Sequence, residues 1–387
     1  MGMEAKTLFV TVAVSLLILA AVPLGATQIP NLTTVTTIHR PVNVSVTTYG
    51  IILSYRYNDS ATLLSKLLPN GTTEKFQPTF AGSQEVYLAE SNGSAGFKAG
   101  DIFLCSSDSI FRMPGGSGTA VLFAKPSPGS TVEYIAFDTT GAWGHLLYAL
   151  TGDGGVWAVN ASGSPKLVSS LGPNLMPEGL AVAPPGFGDF GGDLLVTMEN
   201  SHSLVAIRQN STSFQTILAT FPGQAPERVI VVAPGEDLLV AKYDLNIVVR
   251  LPASILASYA ARPLVITEGE NGQTGSINAL SAVGTKVTST TILSDPSSPH
   301  FEGATFIPAG YFPMLTSSTS TAASSASFTS TVTSSGRSLS APVLLYLVVG
   351  AAVISAGSIV IFYRRSRRIS EILGTDNSSR DVSSPKV

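Results

Sequence analysis

The sequence predicts an all-β protein, a β-propeller of six blades, followed by one C-terminal transmembrane helix. Two observations predict this architecture. A unit of 44 to 50 residues recurs through the middle of the chain and consists of short apolar strands separated by turns, without helical periodicity. A run of 22 residues from Pro342 to Tyr363 then carries no charge and is long enough to cross a bilayer.

The N-terminal segment is predicted to be a secretion signal. Lys6 precedes the apolar run Thr7–Val22, which is short for a membrane span and has the layout of a signal-peptide core. We therefore assign residues 1–26 to a signal peptide, with an uncleaved anchor as the alternative. Residues 27–48 are assigned to an N-terminal extension.

The repeat is clearest in the segments Pro177–Ile207 and Pro226–Leu251, and weaker copies occupy Glu85–Met113 and Val132–Val159. Each copy opens with a glutamate and an apolar strand, passes through a glycine-containing loop to a second strand, and turns at a polar residue. The glutamates are Glu85, Glu133, Glu178 and Glu227, which are 48, 45 and 49 residues apart, and the turn residues are Asp108, Asp153, Asn200 and Asp244, which are 45, 47 and 44 apart. Two landmarks with one period indicate propeller blades.

The two ends of the predicted propeller, residues 49–314, complement each other. Glu302–Pro308 resembles the first strand of the unit and then stops, whereas Gly50–Asp59 resembles the second strand and turn without a first strand. We therefore expect these segments to pair in one blade and close the ring, which would remove exposed sheet edges. A degenerate blade at Ser276–Leu293 brings the count to six, with five or seven as alternatives.

The C-terminal part is predicted to anchor the chain. Residues 315–340 are mostly Ser, Thr and Ala, a composition that cannot build a core and is typical of an extended, O-glycosylated stalk. Residues 341–363 form the predicted transmembrane helix, and residues 364–387 form a tail that begins with four arginines within five positions. Because basic residues stay on the cytoplasmic side, the expected topology is single-pass type I at the cell membrane, with the propeller outside.

Glycosylation sequons agree with this topology. Seven Asn-x-Ser/Thr sequons precede the stalk, whereas Asn377 is the one in the tail. The predicted glycosylation sites are Asn31, Asn43, Asn58, Asn70, Asn92, Asn160 and Asn210.

The best repeat copy also carries a resemblance. Its order of Gly-Leu-Ala-Val, a glycine loop, Leu-Leu-Val and a polar turn resembles NHL-repeat propellers and the related gluconolactonase-like six-bladed propellers, over roughly Tyr49 to Tyr311. The aspartate usual in the second NHL strand is absent, since Thr197 stands near that place. The layout of signal, ectodomain, stalk and C-terminal anchor resembles archaeal surface proteins. Gluconolactonase-like enzymes hold a divalent metal at one mouth of the channel, and by position this resemblance implies Glu178, with Asn200 and Asp244, as ligands.

Propeller geometry gathers the acidic residues independently of that resemblance. The start of the first strand and the turn after the second lie on the same face of a blade. The opening glutamates and Glu302 should therefore surround one mouth of the channel, together with the turn residues Asp108, Asp153, Asn200 and Asp244. A divalent cation such as Ca²⁺ would offset their repulsion. The alternative is that these residues accept hydrogen bonds from backbone amides at strand ends and turns.

Several function classes are excluded. A net charge of −3 gives no basic field for nucleic acid. Gly186–Gly191 matches the dinucleotide fingerprint literally but joins two strands of one hairpin, so no nucleotide site is predicted. No nucleophile elbow occurs and the histidines lack ligand spacing, so no catalytic residue is predicted. Cys105, the single cysteine, lies in an apolar run and is expected to be a buried hydrophobe.

The favoured function is a binding or adhesion module for an extracellular protein or glycan. The anchor, the stalk and the missing nucleophile favour display over catalysis. The alternative is a surface-tethered, metal-dependent, lactonase-like hydrolase.

Overall fold

A computed structural model describes residues 32–76, 80–209, 215–270 and 272–312. Regular structure in these ranges is β, apart from the short helix α1 (Ala253–Leu256) and 3-10 turns at Ser94–Gly96, Pro114–Gly116, Gly188–Phe190 and Ala257–Tyr259. The strands, in chain order, are β1 (Thr33–Thr37), β2 (Asn43–Thr47), β3 (Gly50–Tyr55), β4 (Thr62–Leu67), β5 (Thr73–Lys75), β6 (Ala81–Gly82), β7 (Leu88–Glu90), β8 (Ile102–Ser106), β9 (Ser109–Met113), β10 (Val121–Ala124), β11 (Val132–Phe137), β12 (Leu147–Thr151), β13 (Gly155–Val159), β14 (Pro165–Ser170), β15 (Pro177–Val182), β16 (Leu194–Met198), β17 (Ser203–Ile207), β18 (Gln215–Thr220), β19 (Gln224–Val231), β20 (Glu236–Lys242), β21 (Ile247–Leu251), β22 (Pro263–Gly269), β23 (Gly275–Val283), β24 (Lys286–Asp295) and β25 (Phe301–Pro308).

These strands form six antiparallel sheets, which are the blades of a propeller. From the innermost strand outward, blade 1 is β2-β3-β4-β5 with β6 beside β4, blade 2 is β7-β8-β9-β10, blade 3 is β11-β12-β13-β14, blade 4 is β15-β16-β17-β18, blade 5 is β19-β22-β23-β24, and blade 6 is β25-β20-β21-β1. The innermost strands adjoin one another in blade order, and β25 contacts β2, so the ring is closed. The prediction of an all-β propeller with six blades is confirmed.

Burial explains the apolar runs in the repeat. The second strands β12 and β16 are buried along their whole length, because each blade is covered on both faces by its neighbours. Their sequences, LYALT and LLVTM, are therefore nearly continuous runs and do not alternate. The outermost strand β14 is mostly exposed and carries Lys166 and two serines.

Blades 5 and 6 are interleaved, which corrects one predicted repeat. The segment Pro226–Leu251 was expected to be one blade, but β19 pairs with β22, and β20 pairs with β25. The chain thus leaves blade 5 after its first strand, builds β20 and β21 of blade 6, and returns through α1 to complete blade 5. Similar apolar strands pair equally well in isolation, so the local pattern specifies strands without specifying their partners.

The predicted closure of the ring is wrong. Glu302–Pro308 lies in blade 6 and Gly50–Tyr57 begins in β3 of blade 1, so the two segments belong to different sheets. Blade 6 instead joins the chain ends with β25 innermost and β1 outermost. β1 and β2, within the expected extension 27–48, are propeller strands that the repeat pattern did not predict. Both lack an opening glutamate and consist largely of Thr, Ser and Val, so they do not resemble the repeat.

Two glycines allow neighbouring inner strands to approach closely. A Cβ on Gly179 would lie 2.8 Å from the carbonyl oxygen of Glu227, and one on Gly303 would lie 2.6 Å from the carbonyl oxygen of Val42. Both contacts are too short for any side chain. Each glycine follows a glutamate, so the close approach also sets the position of Glu178 and Glu302 at the channel.

The remaining predicted segments lie outside the described residues. They are the signal peptide (1–26), the stalk (315–340), the transmembrane helix (341–363) and the tail (364–387). Among the residues that are described, no helix is long and apolar enough to cross a membrane.

Candidate functional site

Glutamates from five blades converge on one cavity at the channel mouth. Its volume is about 470 Å³, and its lining residues are Tyr57, Asn58, Gln84, Glu85, Thr131, Glu133, Met176, Glu178, Glu199, Glu227, Glu268, His300 and Glu302. The predicted ring of Glu85, Glu133, Glu178, Glu227 and Glu302 is therefore confirmed. Within the lining, blade 1 supplies Tyr57 and Asn58 where the other blades supply glutamates.

The glutamates of the ring lie at or near the starts of the inner strands. Glu133, Glu178 and Glu302 are each the second residue of their inner strand, β11, β15 and β25. Glu227 is the fourth residue of β19, and Glu85 precedes β7 by three residues. Because all inner strands run in the same direction through the ring, these starts meet at one end of the channel.

Three of the carboxyl groups are buried with few partners. Glu178, Glu227 and Glu302 are 4%, 6% and 2% exposed. Oε2 of Glu178 and Oε2 of Glu302 have no hydrogen-bond donor. Buried polar atoms are nearly always satisfied in folded proteins, so two such oxygens in one cavity indicate a place for a missing partner.

Burial raises the pKa of most of these carboxyl groups. Burial first, and then the charge of Glu302 or Glu85, raises the pKa of Glu85, Glu178 and Glu227 well above the usual range. Burial raises the pKa of Glu133 to about 7, and burial together with the charge of Glu268 raises the pKa of Glu199 to about 7. Each shift reflects a carboxylate that lacks a positive partner.

His300 is the one basic side chain in the described lining. Its Nε2 contacts Oε2 of Glu268 and lies 3.1 Å from Oε1 of Glu302. Burial alone would lower the pKa of His300, but the hydrogen bonds to Glu268 and Glu302 outweigh it and raise the pKa to about 11. The imidazolium therefore neutralises part of the blade 5 and 6 side of the cavity.

An aromatic cluster stands beside His300. The ring of Tyr243 lies 4.8 Å from the His300 ring and 5.8 Å from the Tyr57 ring, measured between centroids. Burial and the charge of Glu85 raise the pKa of Tyr57, so its hydroxyl is neutral. The cavity wall formed by Tyr57 and Met176 is therefore uncharged.

A second cation follows Glu227 along β19. The guanidinium of Arg228 lies 4.2 Å from the ring centroid of Tyr134 and 5.8 Å from that of Tyr87. Its Nε and Nη1 are buried without an acceptor. Tyr87 in turn donates a 2.7 Å hydrogen bond to Oε2 of Glu85. Arg228 therefore lies close to the ring of glutamates, although it does not line the cavity.

Two groups of side chains are spaced to hold a metal ion. One is Glu268, His300 and Glu302, and the other is Glu199, Glu268 and Glu270, and within each group the ligand atoms lie within 4.8 Å of one another. Both groups belong to blades 4, 5 and 6. Carboxylate oxygens suit a hard cation such as Ca²⁺.

The metal ligands expected by resemblance are only partly brought together. Glu178 lines the cavity, but Asn200 and Asp244 do not. Asn200 is exposed and donates from Nδ2 to the carbonyl oxygen of Asn174 at 3.0 Å. Asp244 is exposed and accepts a 2.7 Å hydrogen bond from Ser298. The turn after β16, where Asn200 was predicted as a ligand, does reach the cavity, but the residue of this turn that lines it is Glu199.

The other predicted turn residues act as caps. Asp108 accepts from Lys125 and Ser109, and Asp153 accepts from Thr151 and Ser127. Each also accepts from a backbone amide, from Gly129 at 3.4 Å for Asp108 and from Gly155 at 3.3 Å for Asp153, as the alternative interpretation expects. Neither aspartate lines the cavity, so the prediction that they surround the mouth is wrong. Glu268 and His300 were not among the predicted mouth residues. Glu268 lies in β22, which was not recognised as the second strand of blade 5, and His300 lies in the turn before β25.

The sequons fall into three classes. Asn43 is fully buried in β2 and donates from Nδ2 to Ser45 at 2.9 Å, so a glycan on this nitrogen is incompatible with the fold and the prediction is wrong. Asn58, Asn70, Asn92 and Asn160 are exposed, and their glycosylation stays a prediction. Asn31 and Asn210 lie outside the described residues.

Cys105 is fully buried in β8, and burial raises its pKa, as expected for an unreactive thiol.

Solved structures with a similar fold include three proteins of different activity. The calcium-binding protein regucalcin from Agrobacterium tumefaciens is 12% identical with a TM-score of 0.43, covering 67% of this chain and 77% of its own. A candidate gluconolactonase is 12% identical with a TM-score of 0.40, covering 70% and 94%. The PQQ-bound aldose sugar dehydrogenase from Streptomyces coelicolor is 15% identical with a TM-score of 0.44, covering 69% and 85%. No protein-family model and no curated protein matches the sequence.

Proposed function

We propose that this propeller is a cell-surface binding module whose acidic mouth takes a positively charged ligand. The observation that carries the proposal is the cavity itself, in which seven glutamates face one imidazole and two buried carboxylate oxygens have no donor. Like charges held this close raise the free energy of the folded state unless protons or cations neutralise them. The first candidate cation is a divalent ion such as Ca²⁺, at the all-carboxylate group of Glu199, Glu268 and Glu270.

The last described strand of the propeller runs away from this mouth. Inner strand β25 begins at the cavity with Glu302 and ends at Pro308, after which the chain turns back through a hydrogen bond from Tyr311 to Pro308. An inner strand crosses from one face of the ring to the other, so β25 ends on the face opposite the mouth. The stalk (315–340) and transmembrane helix (341–363) are proposed as the tether, and an extracellular protein or glycan as the ligand.

A cation that binds only the folded state stabilises it by RT ln(1 + [L]/Kd), about 2.7 kcal/mol at a hundredfold excess over Kd. Thermal melts of the full chain in neutral detergent, with Ca²⁺ and then with chelator, measure this effect. We expect Ca²⁺ to raise the Tm by about 5 °C. Glu268→Gln, which removes the glutamate shared by both metal groups, should reduce the shift, whereas Glu74→Gln, an exposed glutamate of β5, should retain it. Identical melts with Ca²⁺ and chelator would count against a metal in the cavity.

Surface display has its own test. Protease added to intact cells should remove the propeller and leave the tail 364–387 protected, and the reverse pattern would overturn the type I orientation.

Arrays of glycans and extracellular proteins, probed with the wild type and with Glu178→Gln, would then identify the ligand. Binding that is lost in the variant would place recognition at the mouth.

A metal-dependent, lactonase-like hydrolase is the second candidate. It is favoured by Glu133 and Glu199, whose pKa values of about 7 suit proton transfer at neutral pH beside a bound cation. Hydrolysis of sugar lactones by the full chain with Ca²⁺, Mn²⁺ or Zn²⁺ tests it directly. Turnover that disappears in both Glu133→Gln and Glu199→Gln would favour the enzyme, and absence of turnover with all three metals would leave the binding module.

A further inference from the structure

The carboxylates of the cavity are spread more widely than a single metal ion can reach. Both groups with metal-ligand spacing lie on blades 4 to 6 and share Glu268. Glu85 and Glu133, from blades 2 and 3, belong to neither group although they line the same cavity. A metal ion on one side therefore leaves the carboxylates of the other side without a positive partner.

The size and the walls of the cavity point to an organic ligand. Its volume of about 470 Å³ is in the range of small-molecule sites, roughly 300 to 1,000 Å³, and far exceeds a bare ion. Tyr57 and Met176 contribute uncharged, largely apolar surface to the cavity wall. Such a wall suits methylene groups, which carboxylates alone would not accommodate.

The unpartnered oxygens provide a second, independent observation. Glu178 and Glu302 are more than nine-tenths buried, come from blades 4 and 6, and each has one oxygen without a donor. A primary ammonium group carries three donors and no acceptor, so it fits between acceptors that find no N–H in the protein. One ammonium group can serve these oxygens, and a second is needed for Glu85 and Glu133 of blades 2 and 3, so a ligand that neutralises the whole cavity has ammonium groups at separate points.

We propose that the mouth binds a linear aliphatic polyammonium group, with ammonium ends at the carboxylates of blades 2 and 3 and of blades 4 to 6, and methylenes along Tyr57 and Met176. This inference rests on the proposed function of the mouth as a cation-binding site. The same chemistry is offered by a free polyamine and by consecutive lysine side chains of a partner protein.

Titration calorimetry of the full chain in neutral detergent, at physiological salt, tests the inference. The probes are spermine, tetralysine, butylammonium and Ca²⁺. Spermine or tetralysine should bind far more tightly than butylammonium, which has the same methylene character and one charge. The tighter of the two polyammonium probes identifies the source. One charged hydrogen bond is worth about tenfold in affinity. If neither polyammonium probe binds at least about tenfold more tightly than butylammonium, the inference is overturned.

Variants separate this ligand from a metal ion. Glu133→Gln should weaken the binding of spermine by about tenfold and the binding of Ca²⁺ much less, because Glu133 is in neither metal group. Glu270→Gln should weaken Ca²⁺ more than spermine, because Glu270 is in a metal group but does not line the cavity. Tyr57→Ser provides a second variant that keeps every charge and should weaken spermine alone. Equal losses of both ligands in all three variants would overturn the inference.

The failures of the two proposals are distinguishable. Binding of Ca²⁺ without spermine or tetralysine refutes the polyammonium ligand and leaves the cation-binding mouth. Absence of binding by every probe refutes both. Glu74→Gln serves as the matched control, since it removes one negative charge from an exposed strand outside the cavity.

Discussion

Blades 2 to 4 and blades 5 to 6 are built from similar strands but are connected differently. In blades 2 to 4 each blade is one continuous segment, whereas β20 and β21 of blade 6 are inserted between the first and second strands of blade 5. The two regions also differ at the mouth, because the charged lining residues of blades 2 to 4 are all glutamates, whereas the blade 5 to 6 junction contributes His300 between Glu268 and Glu302. The interleaved region is therefore both the closure of the ring and the neutralised side of the cavity.

This difference shows which interactions a sequence pattern can encode. In the continuous blades, strand order follows chain order, so recognising strands such as Val132–Phe137 was enough to place them. In blades 5 and 6, either β20 or β22 could pair with β19, and packing across both blades decides between them. Side chains of β20 and β22 share one buried cluster, which includes Leu238, Val240, Leu264 and Ile266. That choice is not visible within any single repeat.

The largest expected effect is loss of β25. Deleting Phe301–Gly310 removes the innermost strand of blade 6, including the fully buried Phe301 and Ile307, and exposes the edge of β20. We expect the variant to lose cooperative melting and to aggregate. Size-exclusion chromatography and thermal melts measure both properties.

The matched control is deletion of Thr33–Thr37, the outermost strand of the same blade. β1 is largely threonine and partly exposed, so this variant should melt at a lower temperature and remain monomeric. A monomeric β25 deletion with the wild-type Tm would refute closure of the ring by blade 6.

The next largest effect concerns the ion pair that joins the interleaved blades. Lys242 of β20 contacts Asp295 at the end of β24, and their side chains are 2% and 8% exposed. Lys242→Ala leaves a buried carboxylate without its partner and should reduce the free energy of unfolding by about 3 kcal/mol. Chemical denaturation measures the loss.

The continuous blades supply the comparison for that pair. Lys125 and Asp108 form an exposed pair within blade 2, so Lys125→Ala should leave stability nearly unchanged. The double variant Lys242→Met with Asp295→Asn should recover much of the loss, because it removes both charges together. Equal effects of the two single lysine variants would contradict a special role for the interleaved pair.

The site was predictable only where the repeat was regular. Glu85, Glu133, Glu178 and Glu227 followed from the spacing, and Glu302 from the likeness of Glu302–Pro308 to a first strand, because every inner strand starts at the same face. Glu268 and His300 could not be found from the sequence. Glu268 lies on β22 and His300 lies just before β25, and the blade to which each of these strands belongs depends on the interleaving of blades 5 and 6. Asn43 was misassigned for a similar reason, since an inner strand without an opening glutamate looks like an exposed extension.

The smallest effect tests the charge difference between the two sides of the cavity. Glu133 in blade 3 has no positive partner, and burial raises its pKa to about 7 from a usual value of 4.5. Between pH 4.5 and 7 the folded state therefore binds more protons than the unfolded state, so stability falls as pH rises through this window. Glu133→Gln stays neutral and should raise the Tm at pH 8 while leaving it unchanged near pH 4.

His300→Gln should have the opposite sign. The pKa of His300 is raised to about 11 from 6.5, so its contribution to stability is complete below pH 6.5, largely retained at pH 8 and lost as pH rises through 11. Removing the imidazolium leaves Glu268 and Glu302 facing each other, and the Tm at pH 8 should fall. Melts of both variants at pH 8, without divalent cations or polyamines, compare the two sides directly. A Tm change of the same sign in both variants would mean that the cavity is electrostatically uniform, and the contrast between the continuous and interleaved blades would then be one of connectivity alone.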